Sequence, residues 1–213
     1  MIKLVMFDWD GTLVDGLSIN YRIYREITKK LGKRTPASPG ELAKLTDGKW
    51  EELYYNLGIR TKKEIRQATK IYHELFGRFR NDFRLFPGVV DVLSSLKENG
   101  IKTGIISNCE KPLMLMLVDK FNLSGYLDAV VAHGDTENVK PEPDQIHLCL
   151  EKLAVKPEHA VFVGDMTNDI KAARNAKLRK VIAVTYGWHT RKQLEKLKPD
   201  AIIDSPEEIL ENV

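Results

Sequence analysis

Ile2-Lys3-Leu4-Val5-Met6-Phe7-Asp8-Trp9-Asp10-Gly11-Thr12 is the stretch on which the fold turns. A short apolar run stops abruptly at an aspartate and a turn-forming cluster, the pattern of a buried strand that delivers Asp8 at its C-terminal end. From Leu17 to Arg84 the period changes: Ile19, Ile23, Ile27 and Leu31 recur every four residues until Gly32 supplies a stop. Pro36-Ala37-Ser38-Pro39-Gly40 reads as a linker, Glu41–Leu45 and Trp50–Leu57 as short helices, and Thr61 with Glu64 three residues on as the cap of a longer helix to Phe79. After Phe86-Pro87-Gly88, helices over Val89–Asn99, Leu113–Phe121, Asp144–Leu153, Asp169–Ala176, Arg191–Leu197 and Pro206–Glu211 alternate with strands at Lys102–Ile106, Ala129–Ala132, Ala160–Val163, Val181–Val184 and Ala201–Ile203. This βα alternation predicts an α/β fold, a Rossmann-like three-layer core with a parallel sheet covered on both faces. An all-helical domain over 15–85 is inserted into it, so the core comprises 1–14 and 86–213.

Composition narrows the class. The 213 residues are 43% hydrophobic and 30% charged, which is globular composition and excludes wholesale disorder. No stretch approaches the ~18 consecutive apolar residues of a membrane span, and the run before Asp8 is too short for a signal peptide. A cytoplasmic protein with no membrane partner is expected. Cys109 and Cys149 have neither the spacing nor the context of a disulfide framework or zinc site, and both read as reduced, structural thiols. The formal charge is +3, but residues 15–85 hold 16 basic and 9 acidic side chains, or +7, leaving −4 for the core. A basic helical domain beside an acidic core suits an anionic substrate and a core-bound cation. Nucleic-acid binding has that charge alone behind it, with no basic aromatic surface or reader motif.

In an open parallel sheet, ligands bind beyond the carboxyl ends of the strands. Those ends carry Asp8-Trp9-Asp10-Gly11-Thr12, then Ser107-Asn108, then Lys140-Pro141, then Gly164-Asp165 with Asp169 following. Carboxylates gathered near one point repel unless a cation sits among them, and an all-oxygen cluster suits Mg²⁺. Lys140, the Ser107 hydroxyl and backbone N–H groups of the turn after Asp8 complete a site built for a phosphoryl group. An ionised aspartate can attack phosphorus and form an aspartyl phosphate.

These residues resemble the haloacid dehalogenase-like phosphohydrolases. Asp8-Trp9-Asp10-Gly11-Thr12 is similar to the family's D-x-D-G-T motif, Ser107 to its second motif, Lys140 to its third, and Gly164-Asp165-Met166-Thr167-Asn168-Asp169 to its G-D-x-x-x-D motif. The helical insert, with Val139-Lys140-Pro141-Glu142-Pro143-Asp144, resembles the phosphoglycolate phosphatase and phosphoglucomutase-like subgroup, whose insert is a cap over the core. The resemblance implies Asp8 as nucleophile and Asp10 as general acid, then base. It implies Mg²⁺ on the Asp8 carboxylate, the Asp10 main-chain carbonyl and Asp165, with Asp169 reaching the metal through water or orienting Lys140. Ser107 and Lys140 would grip the phosphoryl oxygens, assisted by N–H groups of Trp9, Asp10 and Asn108, while Thr12 braces the turn. The implied substrate is a small phosphorylated metabolite, such as phosphoglycolate or a sugar or nucleoside monophosphate.

Trp9 is bulkier than the family's usual residue and is expected to reshape the entrance, and Gly16 is expected to be a hinge. Lys49, in the loop Thr46-Asp47-Gly48-Lys49, is a candidate for substrate selection. Trp50, Tyr54 and Tyr55 read as a small core of the helical domain, and the five histidines as surface or packing residues, His133 being the exception to watch. Three other readings stand beside the phosphatase. A dehalogenase of the family would lack Asp10. A phosphomutase uses the same aspartyl phosphate and is separated by a bisphosphorylated-sugar requirement. A non-enzymatic receiver module would carry its phosphorylated aspartate on a middle strand without a helical insert.

Overall fold

A computed structural model describes residues 1–213. They form two compact units, Met1–Val14 with Leu85–Val213, and Asp15–Arg84. Leu85, expected at the end of the helical domain, belongs to the first unit.

In the first unit, β1 (Leu4–Phe7) is buried along its whole length, as an unbroken apolar run in a parallel sheet should be. Two short strands missed in the sequence follow: β2 (Val14–Asp15) pairs with β3 (Arg84–Leu85). Two residues give no periodicity to detect.

The helical unit contains α1 (Leu17–Lys30), α2 (Pro39–Ala43), α3 (Trp50–Asn56) and α4 (Lys62–Phe79). α1 buries Ile19, Ile23 and Ile27, and α4 buries Ala68, Leu75 and Phe76. The N-terminus of α4 is fixed by a capping box: Glu64 N–H donates to the Thr61 hydroxyl at 3.2 Å, and Thr61 N–H donates back to the Glu64 carboxylate at 3.0 Å. The Lys33 ammonium, 2.5 Å away, with the N–H groups of Thr61 and Arg60, draws Glu64 down to about 2.

Two expectations need correction here. α2 begins inside the expected linker, because Ser38 accepts the Glu41 N–H at 3.1 Å and Pro39 supplies a preset first helical residue. Tyr54 is buried and meets Trp50 edge-on at 5.4 Å, but Tyr55, one position along, is 59% exposed with the Arg60 guanidinium 4.5 Å from its ring. Adjacent helical residues do not share a face. Part of this unit's positive charge (Arg22, Arg25, Lys30 and Arg78) lines a cleft of about 430 Å³ between α1 and α4.

The first unit continues with α5 (Val89–Glu98), β4 (Lys102–Glu110), α6 (Lys111–Lys120), β5 (Ala129–His133), α7 (Asp144–Leu153), β6 (Ala160–Gly164), α8 (Thr167–Asn175), β7 (Lys180–Val184), α9 (Arg191–Glu195) and β8 (Ala201–Ile203). Pro206–Asn212 winds as a 3₁₀ segment rather than the expected α-helix. The six strands are parallel, in the order β5-β4-β1-β6-β7-β8. Leu4 and Met6 pack with Phe162, Ile146, Cys149 and Ile170 on one face. Strand alternation turns Val5 and Phe7 to the other face. β4 runs on through Ser107 and Asn108, where its pairing with β5 becomes irregular between Ile106 and Glu110. No helix is long and apolar enough to cross a membrane.

This order decides the site. β1 is flanked by β4 and β6, with Phe7 level with both Ile105 and Val163. Asp8 therefore leaves the sheet between the ends that carry Ser107 and Asp165. The strand order changes direction around β1, the place where such sheets open a crevice.

Candidate active site

Asp8 is held at the sheet edge by its N–H, which donates to the Val163 carbonyl at 2.9 Å. The chain then turns back at once: the Trp9 carbonyl accepts from Leu13 and Val14 at 3.0 Å, and Gly11 N–H donates to Val14 at 2.8 Å. Gly11 takes φ +100°, and a Cβ there would fall 2.2 Å from an Asp165 carboxylate oxygen. A side chain is excluded by conformation and by space. Trp9 is 2% exposed, so its ring fills the core instead of reshaping an entrance. Gly16 has φ −106° as the residue before α1, a conformation open to any residue.

Lys140 is the cation of the cluster. Its side chain is 2% exposed, with Nζ 2.5 Å from Asp8 Oδ1 and 2.7 Å from Asp169 Oδ1. Burial alone would lower the ammonium pKa, but the carboxylates of Asp169 and Asp8 outweigh it and hold it above its usual value. Asp169, the third residue of α8, also accepts the Met166 N–H at 2.8 Å, so both its oxygens are engaged and its geometry is fixed. Asn108 pins the Lys140 backbone: its amide donates to the Lys140 carbonyl and its carbonyl accepts the Lys140 N–H, each at 3.0 Å. Through these two bonds the Asn108 side chain sets the lysine's place. Ser107 is buried, its hydroxyl oxygen accepting the Cys109 N–H at 3.0 Å, and Gln145 donates to the Ser107 carbonyl at 2.8 Å.

Asp165 is fully buried and spans two loops. Its Oδ1 accepts the Thr12 hydroxyl at 3.0 Å and its Oδ2 accepts the Trp188 N–H at 2.7 Å. Burial first, then the charges of Asp8 and Asp169, push its carboxyl well above the usual range. Burial likewise raises Asp169 to about 6, against the pull of Lys140.

Oxygens of Asp8, Asp165 and Asp169 all lie within 4.8 Å of one another. Three carboxyl groups share one ammonium in a buried space, an excess of acid over base. An all-oxygen donor set with that excess fits a hard divalent cation such as Mg²⁺. Lys49 lies in the other unit, where it precedes α3 and its carbonyl accepts the Thr46 hydroxyl at 3.1 Å.

The loop after β7 escaped the sequence reading. Trp188 donates its indole N–H to Asp10 Oδ1 at 3.4 Å in addition to its backbone bond to Asp165. A Cβ on Gly187 would fall 2.3 Å from Asp165 Oδ2 and 2.4 Å from the Gly11 carbonyl oxygen. The available signal was a glycine between two aromatics, Tyr186-Gly187-Trp188, within four residues of the end of β7. His189 is a packing residue whose Nδ1 accepts the Thr167 N–H at 3.1 Å, and His133 closes β5 opposite Glu110. Both cysteines are deactivated as nucleophiles: burial pushes Cys149 up to about 12, and burial with the Asp10, Glu110 and Asp8 charges raises Cys109 further.

Known proteins share this framework. A protein of Caldanaerobacter subterraneus subsp. tengcongensis, provisionally named pyrophosphatase PpaX, is 33% identical over 216 residues, covering 98% of this chain and 93% of its own length. The phosphoglycolate phosphatase of Escherichia coli K12 is 30% identical over 153 residues, 71% of this chain but 60% of its own length. The chain thus matches less than two thirds of that enzyme. A crystal structure from Haemophilus somnus, described as a predicted phosphoglycolate phosphatase, superposes with a TM-score of 0.90 at 24% identity, over 99% of this chain and 97% of that one, which shows a common fold. Residues 5–184 match the model of haloacid dehalogenase-like hydrolases, a span that runs from the strand before Asp8 to the end of β7, and to that family of enzymes the chain belongs.

Proposed function

We propose that this chain is a Mg²⁺-dependent phosphatase of small phosphate monoesters, acting through an aspartyl phosphate on Asp8. The observation that carries the reading is the buried cluster itself: carboxyl oxygens of Asp165 and Asp169 lie within 4.8 Å of one of Asp8, beside an ammonium already aimed at Asp8. Mg²⁺ would be held by the carboxylates of Asp8 and Asp165 and the Asp10 main-chain carbonyl. When bound it supplies positive charge to the phosphoryl oxygens and relieves the repulsion that otherwise keeps the substrate anion out.

The rest is done by side chains. Asp8 attacks phosphorus with one carboxylate oxygen, and the P–O bond to the leaving group breaks as Asp10 gives that oxygen a proton. Asp10, now ionised, takes a proton from water, whose oxygen attacks the phosphorus of phospho-Asp8 and returns the free carboxylate. Lys140 and the Ser107 hydroxyl hold the phosphoryl oxygens through both steps, with the N–H groups of Trp9, Asp10 and Asn108 as further donors. Asp169 keeps Lys140 aligned and Thr12 keeps Asp165 aligned. Lys49 is proposed to contribute to substrate choice.

A second substrate class has specific support. The relative matched along nearly its whole length carries a pyrophosphatase name, whereas the phosphoglycolate phosphatase is matched over 60% of its length. Pyrophosphate, cleaved by the same steps at a phosphoanhydride, therefore stands beside phosphoglycolate. The test is phosphate release from p-nitrophenyl phosphate, phosphoglycolate and pyrophosphate, with and without Mg²⁺, in wild type and Asp8→Asn. Release that needs both Mg²⁺ and Asp8 supports the proposal. Release that survives Asp8→Asn overturns it, and activity only with a bisphosphorylated sugar favours a mutase.

A further inference from the structure

We infer that Trp188 is a positioning residue for Asp10, fixing the carboxylate that exchanges a proton with the leaving group. The inference rests on the phosphatase reading and assigns a role to a loop outside the motifs that carry it. Its basis is geometric. The Trp188 backbone N–H is tied to Asp165 Oδ2 at 2.7 Å, and the ring reaches over to give its indole N–H to Asp10 Oδ1 at 3.4 Å. The ring packs where Gly11 has no side chain, since a Cβ there would stand 2.7 Å from Trp188 Cδ1. Gly187 lets the loop descend onto Asp165 and the Gly11 carbonyl. One residue thus bridges two carboxylates, its backbone on one and its side chain on the other.

An indole N–H donates but neither accepts nor titrates, so Trp188 cannot be the acid or the base. Its contribution is orientation. Asp10 projects from a tight turn on two rotatable bonds, and a donor on Oδ1 restricts the rotation of the carboxyl group that exchanges the proton. Misplacement of a proton donor by 1 Å can cost about 100-fold in rate.

Leaving groups separate positioning from general structural support. A p-nitrophenolate departs without help, whereas the alkoxide of phosphoglycolate needs a proton as the bond breaks. Trp188→Phe keeps an aromatic ring and the backbone bond to Asp165 but removes the donor. The expected result is a kcat/KM for phosphoglycolate lowered roughly 10- to 100-fold, with a loss of kcat/KM for p-nitrophenyl phosphate of less than about 3-fold, because kcat/KM reports departure of the leaving group and not the later hydrolysis of phospho-Asp8 that both esters share. Equal losses of kcat/KM on both esters would overturn the inference.

A second measurement needs no turnover. In the metal-free protein, the Trp188 indole ¹⁵N–¹H resonance should move upfield in proton shift on Asp10→Ala, because the acceptor is removed whatever its protonation state. An unmoved resonance would overturn the contact itself, and this result decides the matter if Trp188→Phe does not fold. Failure of the phosphatase reading is seen separately, as a wild type that releases no phosphate.

Discussion

Asp165→Asn should make the metal-free protein more stable while abolishing its response to Mg²⁺. Asparagine has the same shape and can keep both local bonds: its carbonyl accepts the Trp188 N–H, and its amide can donate to the Thr12 oxygen, which the wild-type carboxylate contacts at 3.0 Å. What it removes is a charge. Two like charges no more than 4.8 Å apart repel by at least about 3.5 kcal/mol at an effective dielectric near 20. Lys140, at 2.5 Å from Asp8 and 2.7 Å from Asp169, offsets part of this, so about 2 kcal/mol is the expected gain. For a chain of this length that is a rise in Tm of roughly 4–8 °C in EDTA.

The pH dependence has a definite sign. Asp165 has a folded pKa held well above its unfolded value of about 3.9. Such an acid does no harm below the unfolded pKa and costs stability progressively as pH rises toward the folded one. The advantage of Asp165→Asn should therefore be absent below about pH 4, widen above it, and level off once Asp165 is ionised. Mg²⁺ at a hundredfold excess over its Kd would stabilise the wild type by about 2.7 kcal/mol, enough to reverse the order of the two proteins. Urea melts at several pH values, in EDTA and in Mg²⁺, measure all of this. A variant less stable than wild type in EDTA at pH 7.5 would refute the electrostatic argument.

Three further outcomes follow from the same geometry. Gly187→Ala puts a methyl 2.3 Å from Asp165 and 2.4 Å from the Gly11 carbonyl, and should cost about 1–3 kcal/mol in a melt together with nearly all activity; a fully active variant would show that the loop can yield. Asn108→Ala strips two bonds from the Lys140 backbone and should lower kcat/KM at least about tenfold with a stability loss of about 1–3 kcal/mol, read by steady-state kinetics and thermal denaturation. With Cys149 at about 12 and Cys109 raised by burial and neighbouring carboxylates, mass spectrometry after iodoacetamide at pH 8 should find both thiols intact in the native protein and both alkylated in urea.

Much of this site was legible before any coordinates because its residues stand where strands stop. Leu4–Phe7 announces a buried strand by composition, and Asp8 is conspicuous as the charge that ends it. Thr61 and Glu64 announced the start of α4 because a capping box is a purely local device. Asp165 and Asp169 lie four residues apart across the end of β6 and the first turn of α8, again a local relation. What could not be read was contact between distant loops. Asn108 and Lys140 are 32 positions apart, and Trp188 and Asp10 are 178 apart, so no window of sequence contains either pair. Trp9 was misjudged for a related reason: its neighbours in the motif are polar, but the turn sends its ring into the core.

The glycines tie these observations together. Gly11 and Gly187 give Asp165 its room, and a Cβ on Gly164 would fall 2.5 Å from Asp169. Each carboxylate of the cluster except Asp8 is thus crowded by a backbone that approaches only because a side chain is missing. Close backbone forces the acids inward, toward one another and toward Lys140, and burial strips away the water that would screen them. Such an arrangement is poor for stability and useful for binding, since a cation entering it meets ligands already desolvated and already fixed. If that is the logic of the site, mutations that relax the crowding should stabilise the metal-free chain and weaken its hold on Mg²⁺ together. Asp165→Asn tests the electrostatic half of that coupling and Gly187→Ala the steric half. The two must differ in sign, because one removes a repulsion while the other adds an overlap.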